Sequence, residues 1–98
     1  MFFTRSPPIS AQAKAVTDGF MAHLAAGDPA EAPEVTALAE EHRQQITRWF
    51  YDCSLEMHLG LAEMYLADPR FRKTYEDLAP GLAEYVAAAV RANAAQRA

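Results

Sequence analysis

WFYDCSLEMHLGLAEMY, residues 49–65, holds four aromatic rings, two methionines, a histidine and the sole cysteine of the chain. Two signals sit in it. Asp52–Ser54 interrupts a helical pattern, and Ser54 suits the position whose side chain accepts from the unpaired N–H groups of a new helix. Glu56 then falls near the positive end of that helix. From Leu55 onward, apolar residues recur at helical spacing. Leu55, Leu59, Ala62 and Leu66 form one line and Met57, Leu61, Met64 and Tyr65 another, leaving a narrow side of Glu56, Gly60, Glu63 and Ala67. At about 100° per residue the apolar lines span roughly 220°, against the ~100° stripe of a surface helix. Such a helix is expected inside, flanked on two sides. In a chain of 98 residues few helices remain to cover the second side. Either the packing there is tight or one side faces a cavity.

Outward from this segment the preference is helical throughout, because alanine is abundant and β-branched residues are few. The spacing predicts a first helix over residues 9–26, striped by Ile9, Ala13, Val16, Phe20 and Leu24. It stops at Gly27, a natural left-handed cap. GDPAEAP, 27–33, reads as a loop, and Pro33 suits the first turn of a second helix. That helix carries Val35, Leu38, Ala39, Ile46, Trp49 and Phe50 on one face. The third runs from Ser54 to about Ala67. Asp68-Pro69 starts a fourth to about Leu78, and Pro80 opens a fifth that ends near Ala94. Residues 1–8, MFFTRSPP, read as a tail, and 9–98 as one all-α domain of about five helices.

Composition narrows the function. With 51% hydrophobic and 22% charged residues the chain has the makeup of a folded domain, not of a disordered one. A formal net charge of −4 supplies no basic field for nucleic acid. No run approaches the ~20 apolar residues of a membrane span, and the start lacks the apolar core of a secretory signal. One cysteine forms no internal disulfide and suits a reducing, cytoplasmic setting. Arg70, Arg72 and Lys73 cluster near Pro69, which reads as a solvated basic patch or as a contact for an anionic group.

Several polar groups lie on apolar faces. His42 falls near the centre of the second helix's stripe, and Asn93 lies on the stripe of Leu82, Tyr85, Val86 and Ala89. Each is either satisfied by the protein or a polar handle in an apolar pocket. Trp49, Phe50 and Tyr51 are consecutive, so they point in different directions, and at least one must face a cleft, a partner or water. Beside Met57 and Met64 they form a plastic apolar surface. Cys53 precedes a helix start, which favours a thiolate, while Asp52 opposes it; an ordinary small apolar residue is the plainer reading. A Cys53–His58 catalytic pair lacks oxyanion donors. His23, His42 and His58 lie on three helices without metal-ligand spacing.

The words EHRQQITRWFYDCS, EMHLGLAEMYLADPRF and YEDLAPGLAEYVAAAVRANA, in that order, resemble the antibiotic-recognition (TipAS) domain of thiopeptide-responsive MerR-family regulators. The likeness runs from about Phe20 to Asn93 and rests on H-R, Y-D-C, E-M-H, L-A-E-M-Y, D-P-R-F and A-P-G-L at matching gaps. It implies a globin-like helical fold without haem, whose cleft receives large hydrophobic cyclic peptide antibiotics. A haem would need a histidine such as His42 or His58 as proximal ligand; the resemblance fills the cleft with a drug instead. The chain departs from the family in two ways. It holds no DNA-binding domain or coiled-coil linker, so neither promoter binding nor dimerisation through that linker is expected of it. Where the thiopeptide regulators carry a cysteine that captures dehydroalanine, this chain has Gly60, which rules out covalent capture there. Cys53 matches the family's other cysteine.

The reading that follows is a non-enzymatic domain, without cofactor, that binds a hydrophobic peptide-like antibiotic. It would act by sequestration or as the effector part of a drug-inducible regulator. The ligand-binding set is His42, Ile46, Trp49, Phe50, Tyr51, Cys53, Met57, His58, Leu61, Met64, Tyr65, Tyr85 and Asn93. The rival is a helical interaction module using the same apolar face, with a second copy of the chain as one partner.

Overall fold

The computed structural model describes residues 8–98; the first seven residues of the expected tail lie outside the described part. Five α-helices follow one another: α1 (Ile9–Ala26), α2 (Pro33–Trp49), α3 (Leu55–Ala67), α4 (Pro69–Leu78) and α5 (Leu82–Arg97). Among the described residues there is no strand. The all-α reading holds.

Local chemistry explains the boundaries. Gly27 closes α1 at φ 78°, a left-handed conformation that an L side chain rarely adopts, and the N–H groups of Gly27 and Asp28 return to the last carbonyls of α1. Ser54 Oγ accepts from Met57 N at 3.1 Å and starts α3. Asp68 does the same for α4, accepting from Arg70 N at 2.9 Å, with Pro69 in the first turn. The last helix starts at Leu82 and not at Pro80. Gly81 takes a φ of 86°, and the Glu76 carboxylate reaches back to accept from Gly81 N and Ala83 N, each at 3.0 Å. It also runs past Ala94 to Arg97. The Ala-Ala-Gln-Arg ending contains no breaker, and Arg97 Nε donates to Asn93 Oδ1 one turn back at 2.7 Å.

The core is built on α5, which is buried along Leu82, Ala83, Val86, Ala87, Ala89, Val90 and Ala94. Its alanines let neighbouring backbones come close, so one helix can be covered by α1, α2, α3 and α4 in turn. The α1 stripe is shorter than its spacing implies. Val16 and Phe20 are buried and Leu24 packs against them, whereas Ala13 and Ile9 are exposed because the first turns of α1 lie beyond the end of the core.

The larger correction concerns α3. It does not sit inside. Only His58 and Ala62 are buried; Leu59 and Leu66 complete the line that packs on the core. Met57 and Met64, on the second apolar line, are 47% and 41% exposed. α4 packs against Tyr65 on that line through Phe71 and Tyr75, but leaves the two methionines bare. The spacing predicts Trp49 and Phe50 on one face of α2 with Val35, Leu38, Ala39 and Ile46. Phe50 instead lies past the helix end, and both rings are exposed, Phe50 to 70%. No described helix is long and apolar enough to cross a membrane.

Candidate functional site

The exposed apolar side chains converge on the α2–α3 connection and its surroundings. Trp49, Phe50 and Tyr51 stand out from the end of α2, and Met57 and Met64 project from α3. Isolated exposed apolar residues are ordinary, whereas five large ones on a helix end, its linker and the next helix make a candidate binding surface. The indole N–H of Trp49 donates to Gln12 Oε1 at 3.3 Å, beside a 2.8 Å bond from Arg48 to the same oxygen. The ring is thereby held against the start of α1.

Behind this face lies a pair of histidines. His42 on α2 and His58 on α3 face each other, Nδ1 to Nε2, at 2.8 Å, with ring centroids 5.1 Å apart. One of the two nitrogens carries a proton and the other accepts it. The second ring nitrogen of His58, Nδ1, is buried without a hydrogen-bond partner among the described residues. Burial lowers the pKa of both rings. For His58 the value falls to about 4, burial being the main cause, followed by His42 and Arg43, with Glu40 opposing. The pair is therefore uncharged at neutral pH.

From His42 a chain of rings leads outward. Tyr65 lies 6.4 Å from His42, and Phe71 and Tyr75 of α4 lie 5.4 and 5.7 Å from Tyr65. Burial raises the Tyr65 hydroxyl, helped by the nearby Tyr51 and Cys53, and pushes Tyr75 up to about 12. Tyr51 and Tyr65 thus share one neighbourhood, which joins the linker to α3. Thr17, Tyr65, Phe71, Thr74, Tyr75 and Leu78 enclose an open cavity of about 270 Å³ between α1, α3 and α4. Drug-sized ligands occupy pockets of roughly 300–1,000 Å³. A second open cavity of about 330 Å³ at Arg70, Phe71 and Thr74 shares two of these residues.

A charged network supports the linker. The Glu40 carboxylate accepts from Arg43 Nε at 2.9 Å and Nη2 at 2.6 Å, from Gln44 at 2.8 Å and from Asn93 Nδ2 at 3.0 Å. Hydrogen bonds from Arg43 pull that carboxyl down to about 2, against the effect of burial. Arg43 Nη1 reaches on to the Cys53 carbonyl at 2.8 Å, and Cys53 N donates to Thr47 Oγ1 at 3.1 Å.

The predicted residues divide accordingly. Trp49, Phe50, Tyr51, Met57 and Met64 are exposed, and Leu61, Tyr65 and His42 are half-buried behind them. Ile46, Cys53, His58 and Asn93 are buried. Asn93 is occupied on both sides of its amide, by Glu40 and by Arg97. Burial holds the Cys53 thiol above its ordinary pKa despite Arg43, so it is not activated by its helix junction. Tyr85 stands apart: its ring packs edge-on to Phe20 at 6.5 Å and its hydroxyl donates to Asp28 O at 2.8 Å. Sequence reasoning missed Phe71, Tyr75 and Leu78, which only the turn at Asp68-Pro69 folds back beside Tyr65. Their recurrence at i, i+4 and i+7 among charged residues in PRFRKTYEDL is the available signal. No group of three or more His, Cys, Asp or Glu side chains able to hold a metal occurs among the described residues.

The fold and the sequence have known relatives. Residues 7–93 match the family model described as the TipAS antibiotic-recognition domain. The HTH-type transcriptional activator TipA of Streptomyces coelicolor is 44% identical over 86 residues, covering 88% of this chain and 34% of that protein. The HTH-type transcriptional regulator SkgA of Caulobacter vibrioides is 36% identical over 87 residues, with the same two coverages. The chain therefore spans about a third of the length of these relatives. Among solved structures, TipAS of Streptomyces lividans in complex with nosiheptide superposes with a TM-score of 0.84 at 43% identity, covering 91% of this chain and 62% of that one. The antibiotic-binding domain of a TipA-class multidrug resistance transcriptional regulator gives 0.85 at 41% identity, covering 94% and 98%. With an all-α fold of this geometry and a family match over nearly its whole length, the chain belongs to the TipAS antibiotic-recognition domain family.

Proposed function

We propose that this domain binds a large, mostly apolar peptide antibiotic of the thiopeptide kind, without catalysis and without a cofactor. One observation carries the reading: a family member leaves Trp49, Phe50, Tyr51, Met57, Met64 and Phe71, on the end of α2, the linker, α3 and α4, each more than two-fifths exposed. Burial of that surface supplies the affinity, about 2.5 kcal/mol for every 100 Å² of apolar area removed from water. The hydroxyls of Tyr51 and Tyr65 and the partly exposed His42 set orientation. Ile46, Cys53, His58 and Asn93 act from behind as support, and Tyr85 is engaged with Phe20 and Asp28 instead. The relatives are transcriptional regulators, which makes an effector role within a longer cytoplasmic protein, or sequestration by the domain itself, the biological setting.

Trp49 is the probe. Titration with nosiheptide should change its emission saturably. No response at micromolar nosiheptide, or with peptide antibiotics of other scaffolds, would count against the reading. A concentration-dependent dimer that ignores these ligands would assign the face to a second copy of the chain.

A further inference from the structure

We propose that Arg43 is a positioning residue for the binding face: by tying the Cys53 carbonyl to Glu40 it fixes the aromatic linker Phe50–Ser54. The inference rests on the reading under Proposed function for its ligand, but the linker geometry stands by itself.

Between α2 and α3 the backbone is fastened at few points. Phe50 N and Tyr51 N return to Ile46 O at 2.9 and 3.1 Å, which merely finishes α2. After that, Cys53 is where the linker is attached to the body of α2. Its N–H goes to Thr47 and its carbonyl to Arg43, while its side chain is only 2% exposed. The exposed rings Phe50 and Tyr51 precede this attachment and Met57 follows it. Moving Cys53 therefore moves both flanks of the face.

Arg43 suits this task because its guanidinium presents donors in a rigid plane. Nε and Nη2 engage the two oxygens of Glu40, and the remaining Nη1 points at the carbonyl. A lysine in its place would pair with Glu40 as a point charge but lacks the fork that spans both partners. Glu40 is itself anchored by Gln44 within α2 and by Asn93 of α5. The clasp thus refers the linker to the most buried helix of the domain. Preorganising a binding surface in this way reduces the ordering cost that the ligand must otherwise offset.

The test is Arg43→Lys, read by amide exchange at Cys53 and by a nosiheptide titration of Trp49. A positioning role predicts faster exchange of the Cys53 amide and an affinity about tenfold weaker, with helical content and a cooperative melt retained. Arg91→Lys, which weakens an exposed pair with Glu63, should leave both readouts unchanged. Should Arg43→Lys fail to fold, Glu40→Gln weakens the hold on the guanidinium while leaving Thr47 on Cys53 N. It should change acrylamide quenching of Trp49 and weaken nosiheptide in the same direction. A folded Arg43→Lys with wild-type exchange and wild-type affinity overturns the proposal, as does a folded Glu40→Gln protein that matches wild type in both measurements. If the wild type itself ignores nosiheptide, the ligand reading fails, and Cys53 exchange in Arg43→Lys still decides whether the clasp fixes the linker.

Discussion

Acid should weaken this domain in two separable steps, the first of them through His58. Its folded pKa of about 4 lies below the ~6.5 of an unfolded histidine. Between those values the unfolded chain binds the extra proton and the folded one does not, so stability falls as pH falls through this window and levels off below about 4. The full shift corresponds to roughly 3 kcal/mol at 1.36 kcal/mol per unit. His42, depressed by burial, acts in the same direction. Glu40 titrates later. Its carboxyl is held at about 2, so its contribution is complete above the ordinary carboxylate range and disappears only as pH drops from there through 2. Urea unfolding followed by far-UV circular dichroism at pH 7.5, 6.5, 5.5 and 4.5 follows the first step before Glu40 titrates, and points at pH 3.5 and 2.5 add the second. His58→Gln, whose amide can approach His42 in place of Nε2, should flatten the dependence above pH 4.5. If wild-type stability is level from pH 6.5 to 4.5, or if the variant shows the same slope, the charge-free histidine pair is wrong.

Other expectations are simpler to check. Gly60→Ala should raise stability by about 0.5–1 kcal/mol in thermal melts, since a Cβ there meets nothing within 4 Å, its φ is not positive, and glycine is the poorer helix former. Phe50→Ser should alter stability by less than ~0.5 kcal/mol, because the ring is mostly exposed, yet weaken nosiheptide in the Trp49 titration. Tyr85→Phe should do the reverse, losing about 1 kcal/mol through the bond to Asp28 O while leaving the titration unchanged. Ser54→Ala should cost about 1 kcal/mol by uncapping α3, measured by urea unfolding.

The helices and most of their ends were legible because caps and breakers act locally. Gly27, Pro33, Ser54 and Asp68-Pro69 each mark a boundary through the chemistry of one or two residues. The family words from His42 to Asn93 were legible too, since order and spacing survive without any knowledge of packing. Gly81 and Glu76 show where local reading stops. The start of α5 was placed two residues early because its cap comes from a carboxylate on the preceding helix.

Periodicity gave the girth of α3 correctly but not its burial. A wheel records which side chains share a side, whereas exposure depends on which neighbours cover each side, and here α4 packs on Tyr65 but leaves Met57 and Met64 bare. Likewise, His42 and His58 are unremarkable sixteen residues apart in sequence, and nothing local says that their nitrogens meet. Helix position, the apolar character of the central segment and the kinship were determined by the sequence alone. Which apolar side is left bare, the pairing of the histidines and the clasp from Glu40 to Cys53 were decided by tertiary packing, because burial and hydrogen bonding between helices depend on distances that no single helix sets.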